Sequence, residues 1–125
     1  MEAQILKDAR VPAAAYNGGD RAGFEKRIRA DWAKAWPQDE ILEVRFHRAN
    51  WKRNKKVVWN SGEKAWEAID KGYLTCLVIV KTSDELVTLF PAFINRDFIS
   101  DATTTGVQTK GGRYVIRKVL MSNYK

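Results

Sequence analysis

The sequence predicts a single α+β domain: a mainly antiparallel sheet, flat or curled, of about five to six strands with two main helices packed on one face. Three observations carry that prediction. Phe24, Ile28, Trp32, Ala35 and Trp36 recur at helical spacing. Leu42, Val44 and Phe46 alternate with Glu43, Arg45 and His47, the period-two pattern of a half-buried strand. The run YLTCLVIV over 73–80 is continuous, apolar and β-rich, as in a central strand buried on both faces. A chain of 125 residues, 45% hydrophobic and 30% charged, is sized for one such domain spanning 1–125 with a real core.

The elements follow in order. Residues 1–12 are amphipathic but short and stop at Pro12, and 1–19 read as a loosely packed N-terminal segment. Asp20 suits a helix N-cap, and the stripe from Phe24 to Trp36 ends before Pro37. The 41–47 strand leads into a polar, Asn-containing stretch, and KVVW over 56–59 reads as its hairpin partner, with the turn near 50–54. Asn60-Ser-Gly-Glu63 has the form of a capping box. It predicts a second helix with Ala65, Trp66 and Ile69 on its apolar side and Gly72 as its stop. LVTLFPAFI over 86–94 returns antiparallel to 73–80, with Pro91 marking an edge, a bulge or a strand end. Residues 95–106 read as a loop, and RYVIRKVL over 113–120 as a last strand pairing near Val107.

Composition narrows the function classes. The opening MEAQILKDAR has no apolar core of a secretory signal, and no apolar run approaches the ~20 residues of a membrane span. The one cysteine, Cys76, sits in an apolar strand and reads as a small buried hydrophobe; a reducing, cytoplasmic setting without membrane association is the expectation. One Cys and one His make no zinc site, so neither metal nor other cofactor is expected. NGGD and KGG lack the strand–loop–helix frame of a phosphate-cradling loop and read as turns.

Charge is the most informative signal. The net charge is +7, but residues 44–62 and 102–125 together hold eleven of the 22 Lys and Arg and none of the 15 Asp and Glu, which leaves the remainder at −4. Six positive charges over 45–56 repel one another unless a polyanion compensates. The leading expectation is therefore a non-enzymatic module that grips the phosphate backbone of RNA or single-stranded DNA. Arg45, Arg48, Lys52, Arg53, Lys55 and Lys56 form its surface, extended by Arg113, Arg117 and Lys118 if the last strand lies alongside. Trp51, set among polar residues, either stacks on bases or folds back over the hairpin against a cation. Trp32, Trp36 and Trp66 are expected in the core.

Two further classes remain. The basic hairpin could dock on an acidic partner protein. The domain could instead enclose a ligand pocket lined by Trp66, Tyr73 and Phe90 or Phe93, or act as a small basic ribonuclease. For the latter, His47 beside Glu43 and Arg45 is the weak acid–base candidate.

Overall fold

The computed structural model describes residues 7–124. The first half of the amphipathic segment expected at 1–12 lies outside those residues, as does Lys125. Helix α1 (Arg21–Ala35) forms where expected, with Phe24, Ile28 and Trp32 buried on one side. Burying three large side chains stabilises the helix by about 1.5–3 kcal/mol each, well above the ~1 kcal/mol that Gly23 costs. Asp20 precedes the helix but makes no side-chain cap. Its carboxylate instead accepts hydrogen bonds from the Tyr16 hydroxyl (2.7 Å) and from Arg96 (3.2 Å).

Six strands follow among the described residues: β1 (Glu40–Arg45), β2 (Lys52–Asn60), β3 (Ala65–Lys81), β4 (Leu86–Asp97), β5 (Thr103–Gly106) and β6 (Arg117–Leu120). All pairings are antiparallel. The 17-residue β3 is the spine. Along one edge, β2 pairs its first half (Lys52↔Tyr73 to Asn60↔Ala65) and β1 its second (Arg45↔Leu77 to Glu40↔Lys81). Along the other edge lies β4, whose own outer edge carries β6 at Leu86–Leu89 and β5 at Phe93–Arg96. Pro91 falls between those two partners, where no neighbouring strand needs its missing N–H.

Both sides of the sheet are packed over part of its area. On one face α1 covers Leu74, Cys76, Val78, Val80, Phe90, Ala92 and Ile94, together with Val44, Phe46 and Tyr16. On the other, Ala9, Val11, Leu42 and the four-residue helix α2 (Met121–Tyr124) pack against Leu77, Ile79, Val87, Leu89 and Val119. Among the described residues, no helix is long and apolar enough to cross a membrane.

Several sequence expectations are corrected. There is one substantial helix among the described residues, and the short α2 packs on the face opposite α1. The expected helix after Asn60 is strand. Asn60 Oδ1 does accept the Glu63 N–H at 3.1 Å, but Lys64 then adopts a left-handed conformation (φ +52°) and turns the chain back. Residues 61–64 are thus the tip of the β2–β3 hairpin. Strands β1 and β2 do not pair with each other; they lie end to end along β3, joined by 46–51. Residues 113–116 are not strand, and β6 pairs with the start of β4 rather than near Val107. Strand β4 runs on to Asp97 and β5 occupies 103–106, so the loop expected over 95–106 shrinks to 98–102.

These positions separate two apolar residues that look alike in sequence. Leu74→Ala, in the core, is expected to cost about 2–5 kcal/mol. Trp66→Ala, on an exposed cross-strand pair, is expected to cost about 0.5–1 kcal/mol. Urea denaturation of the two variants measures both.

Candidate nucleic-acid interface

Successive residues of β3 point to opposite faces, so Tyr73 and Thr75 share a face with Leu77 and Ile79. The N-terminal segment and α2 cover the second pair but not the first. The register sets Lys52, Tyr73, Asn95 and Thr104 in one row across four strands, and Thr75, Phe93 and Gly106 in the next. Tyr73 and Phe93 therefore stand as neighbours on the two central strands, ring centroids 6.4 Å apart, and are 40% and 39% exposed. Phe93 lies against β5 because residue 106 is glycine: a Cβ there would fall 2.2 Å from the ring.

Cations and amides surround the two rings. Arg48, Asn50 and Lys52 line an open hollow with Tyr73 and Thr75. Asn54, Lys71 and Asn95 line its neighbour. Lys56 continues the same face one step along β2, opposite Ile69. Of the carboxylates on this face, Asp97 is turned into the 98–100 bend, where it accepts the Ile99 N–H (3.0 Å), and Glu67 on the arm accepts from the Asn60 amide (3.3 Å). The face thus offers two flat apolar rings, four exposed cations (Arg48, Lys52, Lys56, Lys71) and several neutral hydrogen-bonding groups.

Beyond the Lys71↔Asp97 pair, β2 and β3 run on without a third strand. Residues 55–60 and 65–70 form a two-stranded arm, mostly exposed, with Val58, Asn60, Ile69 and Asp70 half-buried and the Phe98 N–H bonded to the Asp70 carbonyl at its base (2.8 Å). Near its tip Trp59 and Trp66 are directly opposed, with rings edge to face at 5.4 Å and exposures of 52% and 69%. Trp66 is therefore not the core residue expected from sequence. Val57, Ala68 and Trp66 share their side of the arm with Trp59, opposite the side of Lys56 and Ile69.

The residues singled out in the sequence disperse. Arg48, Lys52, Lys55 and Lys56 are exposed on or beside β2. Arg45 is held internally: its guanidinium donates to Glu43 at 2.7 and 2.8 Å and to the Pro12 carbonyl at 3.1 Å. Arg53 pairs with Asp70 and stacks 3.9 Å from the Phe98 ring. Trp51 is folded into the body, edge to face with Tyr16, Phe24 and Phe98, and its indole N–H donates to the Tyr16 hydroxyl at 3.3 Å. Arg96 lies 5.4 Å from its ring.

The second basic window does not join the first. β6 sits on the opposite edge of the sheet and at the opposite end from β2. Arg113 pairs with Asp39 and stacks on Trp36 and Phe90, at 4.2 and 4.5 Å, on the α1 face. Arg117 donates to the Arg10 carbonyl (3.3 Å), and Lys118 is exposed beside Thr88.

His47 has little in common with its expected acid–base neighbours. Glu43 is engaged by Arg45 and by the Tyr124 hydroxyl (2.7 Å), whereas His47 Nδ1 is buried without a hydrogen-bond partner among the described residues. Burial, and then the charge of Arg48, push the imidazole below its ordinary value. Burial raises the Glu43 carboxyl, but hydrogen bonds from Arg45 and Tyr124 outweigh it and hold the group low. Burial and the bond to Glu43 push Tyr124 up to about 12. Cys76 is buried and its thiol pushed up by burial, which suits packing rather than nucleophilic attack. Among the described residues, no group of three or more His, Cys, Asp or Glu could hold a metal ion. Phe90 is in the core and Trp66 on the arm, so the ligand pocket expected from Trp66, Tyr73 and Phe90 or Phe93 does not assemble.

Comparison with protein-family models, curated proteins and solved structures finds no match for the chain.

The His47 environment predicts a pH effect with a definite sign. The folded imidazole binds protons more weakly than the unfolded one at 6.5, so the unfolded state gains protons first on acidification. Stability should fall as the pH drops below about 6.5 and be unaffected by this group above it. Melting temperatures at pH 8 and pH 5 check this: wild type should lose more on acidification than His47→Gln.

Proposed function

We propose that the open face of β3 and β4 binds single-stranded nucleic acid, RNA or DNA, with Tyr73 and Phe93 as the stacking groups. The observation that carries this reading is the exposed ring pair on adjacent central strands, fringed by Arg48, Lys52 and Lys71, with Lys56 farther out on the same face of β2. Exposing two aromatic rings to water is unfavourable unless a partner covers them, and any base can do so through its π-face. The cations meet the phosphates, and Asn50, Asn54 and Asn95 can hydrogen-bond base edges or sugars. A duplex hides its base faces and cannot use the rings this way. The reading keeps the phosphate-gripping role expected for Arg48, Lys52 and Lys56. It moves the stacking role from Trp51 to Tyr73 and Phe93.

A basic surface that docks on an acidic protein is the second reading, favoured by the outer edge of β2. That edge is unpaired among the described residues and holds Lys52, Arg53, Lys55 and Lys56 without an acid. Nuclease treatment separates the two: a copurifying partner lost on digestion supports the first, one retained supports the second.

Two measurements test the nucleic-acid reading. Tyr73→Ala and Phe93→Ala should each weaken binding to oligo(dT) by about 1–3 kcal/mol per lost stack. Four phosphate contacts should give a log–log salt slope near −3 for a single strand. Binding that ignores both ring substitutions, or a flat salt dependence, would remove the reading.

A further inference from the structure

The arm carries a second pair of aromatic rings that the platform does not use. Trp59 and Trp66, at 52% and 69%, are more exposed than Tyr73 and Phe93, at 40% and 39%. They lie seven residues farther along β3 than Tyr73, about 24 Å at strand rise. Trp66 is an even-numbered position of β3 and Tyr73 an odd one, so the two aromatic pairs face opposite sides of the sheet. What connects them is the free edge of β2. Its side chains alternate across that edge, with Lys52 and Lys56 on the platform side and Lys55 on the tryptophan side. No acidic residue lies within β2 between Lys52 and Asn60; Glu63 and Lys64 share the tip, and the acids of the inner strand are engaged, Glu67 by the Asn60 amide (3.3 Å) and Asp70 by Arg53.

From this continuity of charge between two aromatic pairs we infer that the arm is a second stacking station for the same strand of nucleic acid. The inference rests on the platform reading. One end of the strand lies over Tyr73 and Phe93; the chain crosses the β2 edge along Lys52, Lys56 and Lys55, and its other end stacks on the exposed Trp59–Trp66 pair. A stacked strand advances about 3.4 Å per nucleotide, so the length along β3 alone takes up roughly seven nucleotides, and crossing from one side of the sheet to the other adds to it. The preferred ligand is therefore an unpaired stretch of about eight or more nucleotides rather than a short end or a single loop base. Self-association through the arm is disfavoured by its charge, since it would set side by side two edges that each carry Lys52, Arg53, Lys55 and Lys56.

The test is the dependence of affinity on length. Labelled oligo(dT) of 4, 8, 12 and 16 nucleotides is titrated with the full chain at low salt, with intrinsic tryptophan emission as a second readout. The expected result is at least a tenfold tightening from 4 to 12 nucleotides, beyond the proportional gain from additional registers, with quenched emission for the longer strands only. In the double variant Trp59→Val/Trp66→Val, which keeps strand-favouring side chains in the arm, the 12-to-4 affinity ratio should fall to the register-only value. Trp59→Tyr/Trp66→Tyr should restore most of it. A Tyr73- and Phe93-dependent affinity that is already flat at 4 nucleotides overturns the arm's role and leaves the platform standing. No binding at any length overturns both. Concentration-dependent dimerisation that the Val variant abolishes would also overturn it, making the arm an interface between copies.

Discussion

Leu77 and Ile79 point to one side of β3 and Cys76, Val78 and Val80 to the other, and all five are dry. Keeping both faces of a strand out of water requires a cover on each side, and the chain spends α1 on one and its two terminal segments on the other. The covers reach only part of the way along the strand. Where α2 and the N-terminal segment stop, Thr75 and Tyr73 emerge; where the third strand stops, the arm begins. The open platform and the projecting arm are thus both consequences of a 17-residue strand that outruns its packing.

The electrostatics follow the same geometry. Cations over the packed part of the molecule are consumed by local partners: Arg45 by Glu43, Arg96 by Asp20 and Asp101, Arg113 by Asp39. Those along β2 beyond Arg53 have open surface around them. Of the eleven basic residues in the two acid-free windows, those left exposed on the strands that carry Tyr73, Phe93, Trp59 and Trp66 all come from the first. A linear count of charge overstates the surface by including arginines that act as internal braces.

The parts of this fold legible in the sequence are those where one period dominates. Phe24, Ile28 and Trp32 set α1, and 73–80 and 86–94 set the central pair. The arm was illegible because Asn60-Ser-Gly-Glu63 makes the same side-chain bond at a hairpin tip as at a helix start; what distinguishes them is the backbone of Lys64. Lys52 and Arg48 could be named as surface cations from their polar surroundings. Tyr73 and Phe93 could not be named as exposed, since both sit in apolar runs whose other members are core. The signal lay in pairing: Gly106 opposite Phe93 leaves room for the ring, and no sequence pattern announces that register. Trp51 misleads for the converse reason. Its sequence neighbours are polar, but the 46–51 connection folds it onto Tyr16, Phe24 and Phe98.

Strands β1 and β2 share an edge of β3 without sharing a hydrogen bond, and this divides the molecule's order into two tiers. The body is held by two dry clusters, which makes its opening the costlier event. The arm is held by its own ladder in contact with water, so it can fray and close again while the body stays intact. Its closed form is already the extended, ring-presenting conformation. A ligand that covers it therefore meets a surface whose backbone entropy was given up during folding, and loses far less affinity to ordering than it would on a disordered loop of the same composition.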